Sequence, residues 1–89
     1  AGEAYSLASV DAKNVILETV KQAEDGDGVI VRLYECENAR TTTKLHWNRP
    51  IASVTECDLQ ENALCDVPVE GGAFKFTIKP YEIKTFRIR

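Results

Sequence analysis

The sequence predicts an all-β fold: a single antiparallel β-sandwich, immunoglobulin-like, of about seven short strands. Three observations point there. The dominant hydrophobic period along the chain is two. No segment sustains apolar residues at helical spacing over three turns, and turn residues recur about every 8 to 12 positions.

Taken in order, YSLASV (Tyr5 to Val10) is the first candidate strand, and NVILETVK (Asn14 to Lys21) the second. The second is irregular, with Val15, Leu17 and Thr19 on one face and Ile16, Glu18 and Val20 on the other. That pattern suits a strand covered on both sides, or an edge beside a neighbouring domain. VIVRLYE alternates cleanly, setting Val29, Val31 and Leu33 against Ile30, Arg32 and Tyr34, and TTTKLHW puts Thr43, Leu45 and Trp47 on one side. IASVTECD, FKFTIK and EIKTFRIR complete the set. CDLQENALCD is expected to form one helical turn at most, with Pro68 stopping anything longer. Asp25-Gly26-Asp27-Gly28, Asn48-Arg49-Pro50 and Gly71-Gly72 carry the turn chemistry. In the last strand Ile83 is odd-numbered while Phe86 and Ile88 are even, so the apolar face changes side between Lys84 and Thr85. A one-residue slip flips every side chain, which predicts a bulge near Thr85.

Eighty-nine residues make a single domain, 1–89, able to bury roughly 60 to 65 % of its unfolded surface. With 44 % hydrophobic and 28 % charged residues and a net charge of −3, the composition is that of an ordinary soluble globular chain. No apolar run approaches the roughly 18 residues of a membrane span, and the N-terminus lacks the layout of a signal peptide. Cys36, Cys57 and Cys65 are odd in number and form no Cys-x-x-Cys pair, so neither a disulfide framework nor a zinc knuckle is indicated. Reduced thiols and a cytoplasmic location are the simpler expectation, with a Cys57–Cys65 bridge as the alternative. The chain lacks Met and opens AGEAYS, which reads as a piece cut from something longer. Its basic end alternates Lys75, Thr77 and Lys79 with Phe74, Phe76 and Ile78, the wet face of a half-buried strand rather than a nucleic-acid surface.

The stretch AEDGDGVIVRLYE tests as a calcium loop and fails. With Gly28 as sixth residue, Ala23 stands at the first ligand position and Tyr34 at the twelfth. With Gly26 as sixth the first position is Lys21, so a solvated turn is expected. His46 is the single histidine, and no nucleophile elbow accompanies it as a triad base. One imidazole and scattered thiols make no metal site either. Glu35 with Glu37, and Glu56 with Asp58, lie about 6.5 Å apart on a strand face, within the range of a glycoside-cleaving pair. Such spacing arises readily among 14 acidic residues, and nothing in the sequence buries either pair. No catalytic, metal-binding or cofactor-binding residue is therefore assigned. Aromatic platforms for a sugar could come only from Tyr5, Tyr34, Trp47 and Tyr81. Trp47 shares parity with Leu45 and is expected in the core, whereas Tyr34 is partly open. Tyr34, Trp47 and Tyr81 stand as the candidates for sugar or domain contact.

NVILETVKQAEDGDGVIVRLYE together with the ending GGAFKFTIKPYEIKTFRIR resembles the C-terminal β-sandwich domain of glycoside hydrolase family 38 α-mannosidases, of the bacterial or cytosolic type. The matching blocks are Asn14 to Lys21, Glu24 to Gly28, Arg32 to Glu35, and Pro80 to Thr85, while Thr41 to Asp66 matches loosely. The resemblance implies a non-catalytic accessory domain excised from a retaining α-mannosidase. The family's catalytic carboxylate and its divalent metal, of zinc type, belong to a catalytic domain outside this chain, so this chain carries no cofactor. Its implied partners are that catalytic domain and, as a further option, mannosides; nucleic acid and membrane are not among them. A carbohydrate-binding module or an immunoglobulin-like protein-interaction domain are the alternative readings.

Overall fold

The computed structural model describes residues 8–23 and 26–89; Tyr5, Glu24 and Asp25 lie outside them. Eight strands follow one another: β1 (Ala8–Val10), β2 (Val15–Gln22), β3 (Val29–Glu35), β4 (Thr41–Trp47), β5 (Val54–Cys57), β6 (Ala63–Val67), β7 (Ala73–Ile78) and β8 (Ile83–Ile88). They form two antiparallel sheets, one ordered β1-β4-β7 and the other β2-β3-β8-β5-β6. The two-sheet sandwich matches the expected fold class. β6 is the strand the sequence did not announce. It forms where a helical turn was expected, pairing Val54 with Val67 and Glu56 with Cys65. At the edge of its sheet and largely exposed, it carries no alternation to read.

Alternation elsewhere becomes the core directly. Phe74, Phe76 and Ile78 of β7 meet Phe86 and Ile88 of β8, with Val31, Leu33, Leu45, Trp47 and Val54 around them. Phe86 sits between the two β7 rings, its centroid 4.9 Å from Phe74 and 5.1 Å from Phe76, both tilted. Tilted packing places ring edges against ring faces, and burying each phenyl contributes about 2 to 3 kcal/mol.

The expected bulge near Thr85 is not there. β8 pairs without interruption with β3 from Ile83↔Tyr34 to Ile88↔Val29, and with β5 from Thr85 to Ile88. Ile83 does not share the core face of Phe86 and Ile88; it lies on the outer face with Thr85 and Arg87, so no change of phase is required. The bulge lies in β2, where Leu17 pairs with Leu33 but Thr19 pairs with Arg32, leaving Glu18 as the extra residue. That one residue explains the irregular NVILETVK. Leu17 before it and Val20 after it both pack against the core despite opposite parity.

Candidate functional site

The outer face of the five-stranded sheet divides into a covered half and an open half. Over the covered half folds the β5–β6 connection, residues 58–62, held in shape by Asp58. The Asp58 carboxylate accepts from the backbone N–H of Gln60 at 2.8 Å and of Asn62 at 3.0 Å. Those donors, the Asn62 backbone foremost, hold the Asp58 carboxyl below its usual value. The loop is pinned to the sheet by Arg32 Nη2 donating to the Leu59 carbonyl at 2.8 Å and by Lys21 against Glu61 at 3.1 Å. Arg87 Nη2 adds a bond to the Glu61 carbonyl at 3.3 Å. Thr55, Thr85 and Arg87 are consequently buried although they face away from the sandwich interior. Cys57 is buried with them, and burial pushes its thiol pKa up.

The open half is different in chemistry. Ile16, Tyr34 and Ile83 are register partners across β2, β3 and β8, so their side chains form a row across three strands. Tyr81 stands beside the row in the β7–β8 turn. Together with Glu18, Glu35 and Cys36, the residues Tyr34, Tyr81 and Ile83 line a shallow recess of about 400 Å³.

Glu35 builds this end of the molecule. It closes β3 with its side chain fully buried. Its Oε2 accepts from Asn14 Nδ2 at 2.8 Å and from the Glu37 backbone N–H at 2.8 Å, and its Oε1 accepts from the Tyr81 backbone N–H at 3.0 Å. Three connections, β1–β2, β3–β4 and β7–β8, are thus fastened to one carboxylate. Burial alone would raise its pKa, but the donors from Tyr81, Asn14, Glu37 and Ala39 outweigh that and lower it to about 2. Tyr81 needs such a hold. Its φ of +57° lies in left-handed backbone that a side chain resists. Glu82 completes the turn, its Oε1 accepting from the Lys79 N–H at 2.8 Å and its own N–H donating to the Lys79 carbonyl at 3.0 Å.

Of the three contact candidates, the structure brings Tyr34 and Tyr81 together and keeps Trp47 apart. Trp47 is 8 % exposed on β4 of the other sheet, inside the core. Ile16 and Ile83 complete the row and were not singled out from sequence; a register between strands is what reveals them. The paired carboxylates have separate structural uses: Glu56 takes Lys84 at 2.9 Å, and Asp58 organises its loop. His46 is exposed, with Nε2 3.0 Å from Asp11 Oδ1, and among the described residues no third His, Cys, Asp or Glu joins them as a metal group. In the acidic turn, Asp27 receives Arg89 Nε at 3.0 Å and Nη2 at 2.9 Å. The three cysteines are free, so no Cys57–Cys65 bridge forms.

Residues 14–86 match the model of the glycosyl hydrolases family 38 C-terminal beta sandwich domain. The chain belongs to that family. Alpha-mannosidase G of Dictyostelium discoideum is 37 % identical over 89 residues, which cover 92 % of this chain and 8 % of that protein. Alpha-mannosidase 2C1 is 30 % identical in mouse over 86 residues and 31 % identical in human over 84, covering 91 % and 89 % of this chain and again 8 % of each protein. The family 38 domain thus spans about 8 % of the length of the curated relatives it matches. The matched stretch contains the β2 bulge, the acidic turn, Glu35 and the Pro80-Tyr81-Glu82 turn. No helix among its described residues is long and apolar enough to cross a membrane.

Proposed function

We propose that this domain is a non-catalytic C-terminal accessory module of an α-mannosidase, packing against the catalytic part of a longer polypeptide that releases terminal α-mannosides with retention. The observation that carries the reading is the state of Glu35. A general acid of a glycosidase needs a raised pKa and an open side toward the substrate. Glu35, the one carboxylate residue fully buried among the described residues, has the reverse: a pKa lowered to about 2 and both oxygens filled by donors from its own fold.

Among the described residues no group fits a catalytic metal, since exposed His46 on β4 and Asp11 just after β1 stop at two. The divalent metal and the nucleophilic carboxylate are assigned to the catalytic part, and the cytoplasm is proposed as the compartment, in keeping with the free thiols of Cys36, Cys57 and Cys65. A mannoside-binding role is the second reading, favoured by the two tyrosine rings beside the recess.

Incubation of the 89-residue chain with an aryl α-mannoside tests the first reading: no turnover above buffer is expected, with turnover by the longer polypeptide. Hydrolysis by the short chain alone would refute it. Titration with mannose or mannobiose, followed by the ring resonances of Tyr34 and Tyr81, tests the second, which requires a saturable shift.

A further inference from the structure

We propose that the rest of the same polypeptide docks on the open half of the outer face, with the Tyr81 ring as anchor, the Ile16–Tyr34–Ile83 row as its floor, and Glu35 as the residue that holds the anchor in position. The inference rests on the accessory-domain reading and names the surface through which that role is carried out.

Five large apolar side chains stay exposed among the described residues: Ile16 at 37 %, Leu59 at 59 %, Leu64 at 60 %, Tyr81 at 64 % and Ile83 at 48 %. Exposed apolar residues scattered singly need no explanation, but a contiguous group does. Here Ile16 and Ile83 flank Tyr34 in direct register, and Tyr81 shares a recess with Tyr34 and Ile83. Leu59 follows β5 by two residues, and its carbonyl is bound by Arg32, two residues from Tyr34 on the same strand face. The outer face of the other sheet offers the contrast. There Thr42 bonds Thr77 across the strands at 2.8 Å and Lys44 stands opposite Lys75, with no large apolar side chain exposed among the described residues.

Tyr81 is the anchor because the fold bears two costs for it. Its backbone is left-handed, where glycine would sit without strain, and its ring is mostly in water. The fold nevertheless commits a buried carboxylate, Glu35, and the Glu82 side chain to holding that turn. An aromatic ring presented on a rigid turn has little freedom to lose on association, which is the property of an interface anchor. The occupant is the same chain because the domain accounts for about 8 % of the length of its relatives. A tethered partner is present at high effective concentration, so a contact of modest area suffices. Its complementary surface is an apolar segment with a slot for a phenol ring and a hydrogen-bond acceptor for the phenol hydroxyl.

Hydroxyl-radical footprinting of the full-length polypeptide reads the Tyr81 and Tyr34 rings directly. Tyr81 is expected to react several-fold more slowly in the native full-length protein than after unfolding in urea, at every protein concentration and without sugar. Tyr81→Gly combined with Ile83→Ser, which keeps the turn's backbone accessible while removing the anchor, is expected to shorten the heat-inactivation half-life of the full-length enzyme several-fold. Lys44→Ala with Lys75→Ala on the other sheet should leave it unchanged. An active full-length enzyme whose Tyr81 reacts like a free surface tyrosine overturns the docking and leaves the accessory-domain reading standing. Protection that fades on dilution, as a second copy would give, or that appears only with added mannose, also overturns it. A full-length chain without α-mannosidase activity removes the accessory-domain reading itself and the proposal with it.

Discussion

Gly28→Ala is the substitution whose cost the structure states most directly. Gly28 ends the turn between β2 and β3 with φ +89°, and a Cβ there would stand 2.7 Å from the Ile88 carbonyl oxygen and 3.2 Å from Arg89 Cγ. The first contact is well inside van der Waals distance, and the oxygen has nowhere to retreat. Ile88 is paired with Val29 on one side and Val54 on the other. Left-handed backbone costs a non-glycine residue about 1 to 2 kcal/mol, and forcing an atom into a packed site about 1 to 3 more, so the sum is roughly 2 to 5 kcal/mol. For a domain of this size that lowers the melting temperature by about 10 °C or more. Gly26→Ala supplies the reference: its φ is +77°, yet nothing lies within 4 Å of the added methyl. It should lose only the backbone share, about 1 to 2 kcal/mol. Thermal unfolding of both variants by circular dichroism isolates the clash as their difference. Equal melting temperatures would refute the reasoning, because conformational strain alone would then account for both.

Three further outcomes are expected. Tyr81→Gly relieves a strained φ of +57° while adding freedom to the unfolded chain, so its urea midpoint should stay level or correspond to a gain of up to about 1 kcal/mol; a clear loss would show that the ring is held by its own domain. Alkylation of the native chain should label exposed Cys36 and Cys65 quickly and buried Cys57 slowly, reaching three adducts on unfolding; a mass two units low and a missing pair of adducts would reveal a disulfide. Asp58→Ala should lower the urea midpoint and speed Cys57 labelling as the 58–62 loop loses the acceptor for the Gln60 and Asn62 N–H groups; an unchanged rate would mean that the loop is not what covers that thiol.

Strands that cover a core on one face were legible because burial and alternation coincide in them. FKFTIK and TTTKLHW deliver Phe74, Phe76, Ile78, Leu45 and Trp47 to the interior as their parity requires. β8 misled because it is buried on both faces for different reasons: Phe86 and Ile88 by the opposite sheet, Thr85 and Arg87 by a loop from a distant part of the chain. Ile83 carries the same parity as the second pair but lies beyond the loop, so an apolar residue on the wet end of a strand looked like a phase break. β6 was invisible for the opposite reason, being exposed over most of its length. Of the candidate site, Tyr34 was legible from its strand face. Tyr81 owes its position to a turn conformation and a buried acceptor that only the tertiary structure supplies.

That acceptor makes the site sensitive to acid, and the direction follows from Glu35. Its carboxyl has a pKa of about 2 in the folded chain against an ordinary value of 4.5, because the donors from Tyr81, Asn14, Glu37 and Ala39 overcome the effect of burial. In the unfolded chain the group takes up a proton as pH falls below about 4.5, while the folded chain resists until about 2. The unfolded state therefore binds more protons in that window, and the stability Glu35 contributes, complete above it, is lost as pH falls through it. Asp58, also lowered, adds a slope of the same sign. Glu35→Gln replaces one accepting oxygen by a donor facing the N–H groups of Asn14 and Glu37 or of Tyr81, so the variant should be less stable at neutral pH yet lose less on acidification. Urea midpoints of both proteins, measured at neutral pH and at steps down to about pH 3, give the comparison. Parallel curves would mean that these donors are not holding an ionised carboxylate. A flatter curve for Glu35→Gln would identify the ionised Glu35 carboxylate, which accepts from Asn14, Glu37 and the Tyr81 N–H, as a hold that acid removes, leaving Glu82 to keep the left-handed turn.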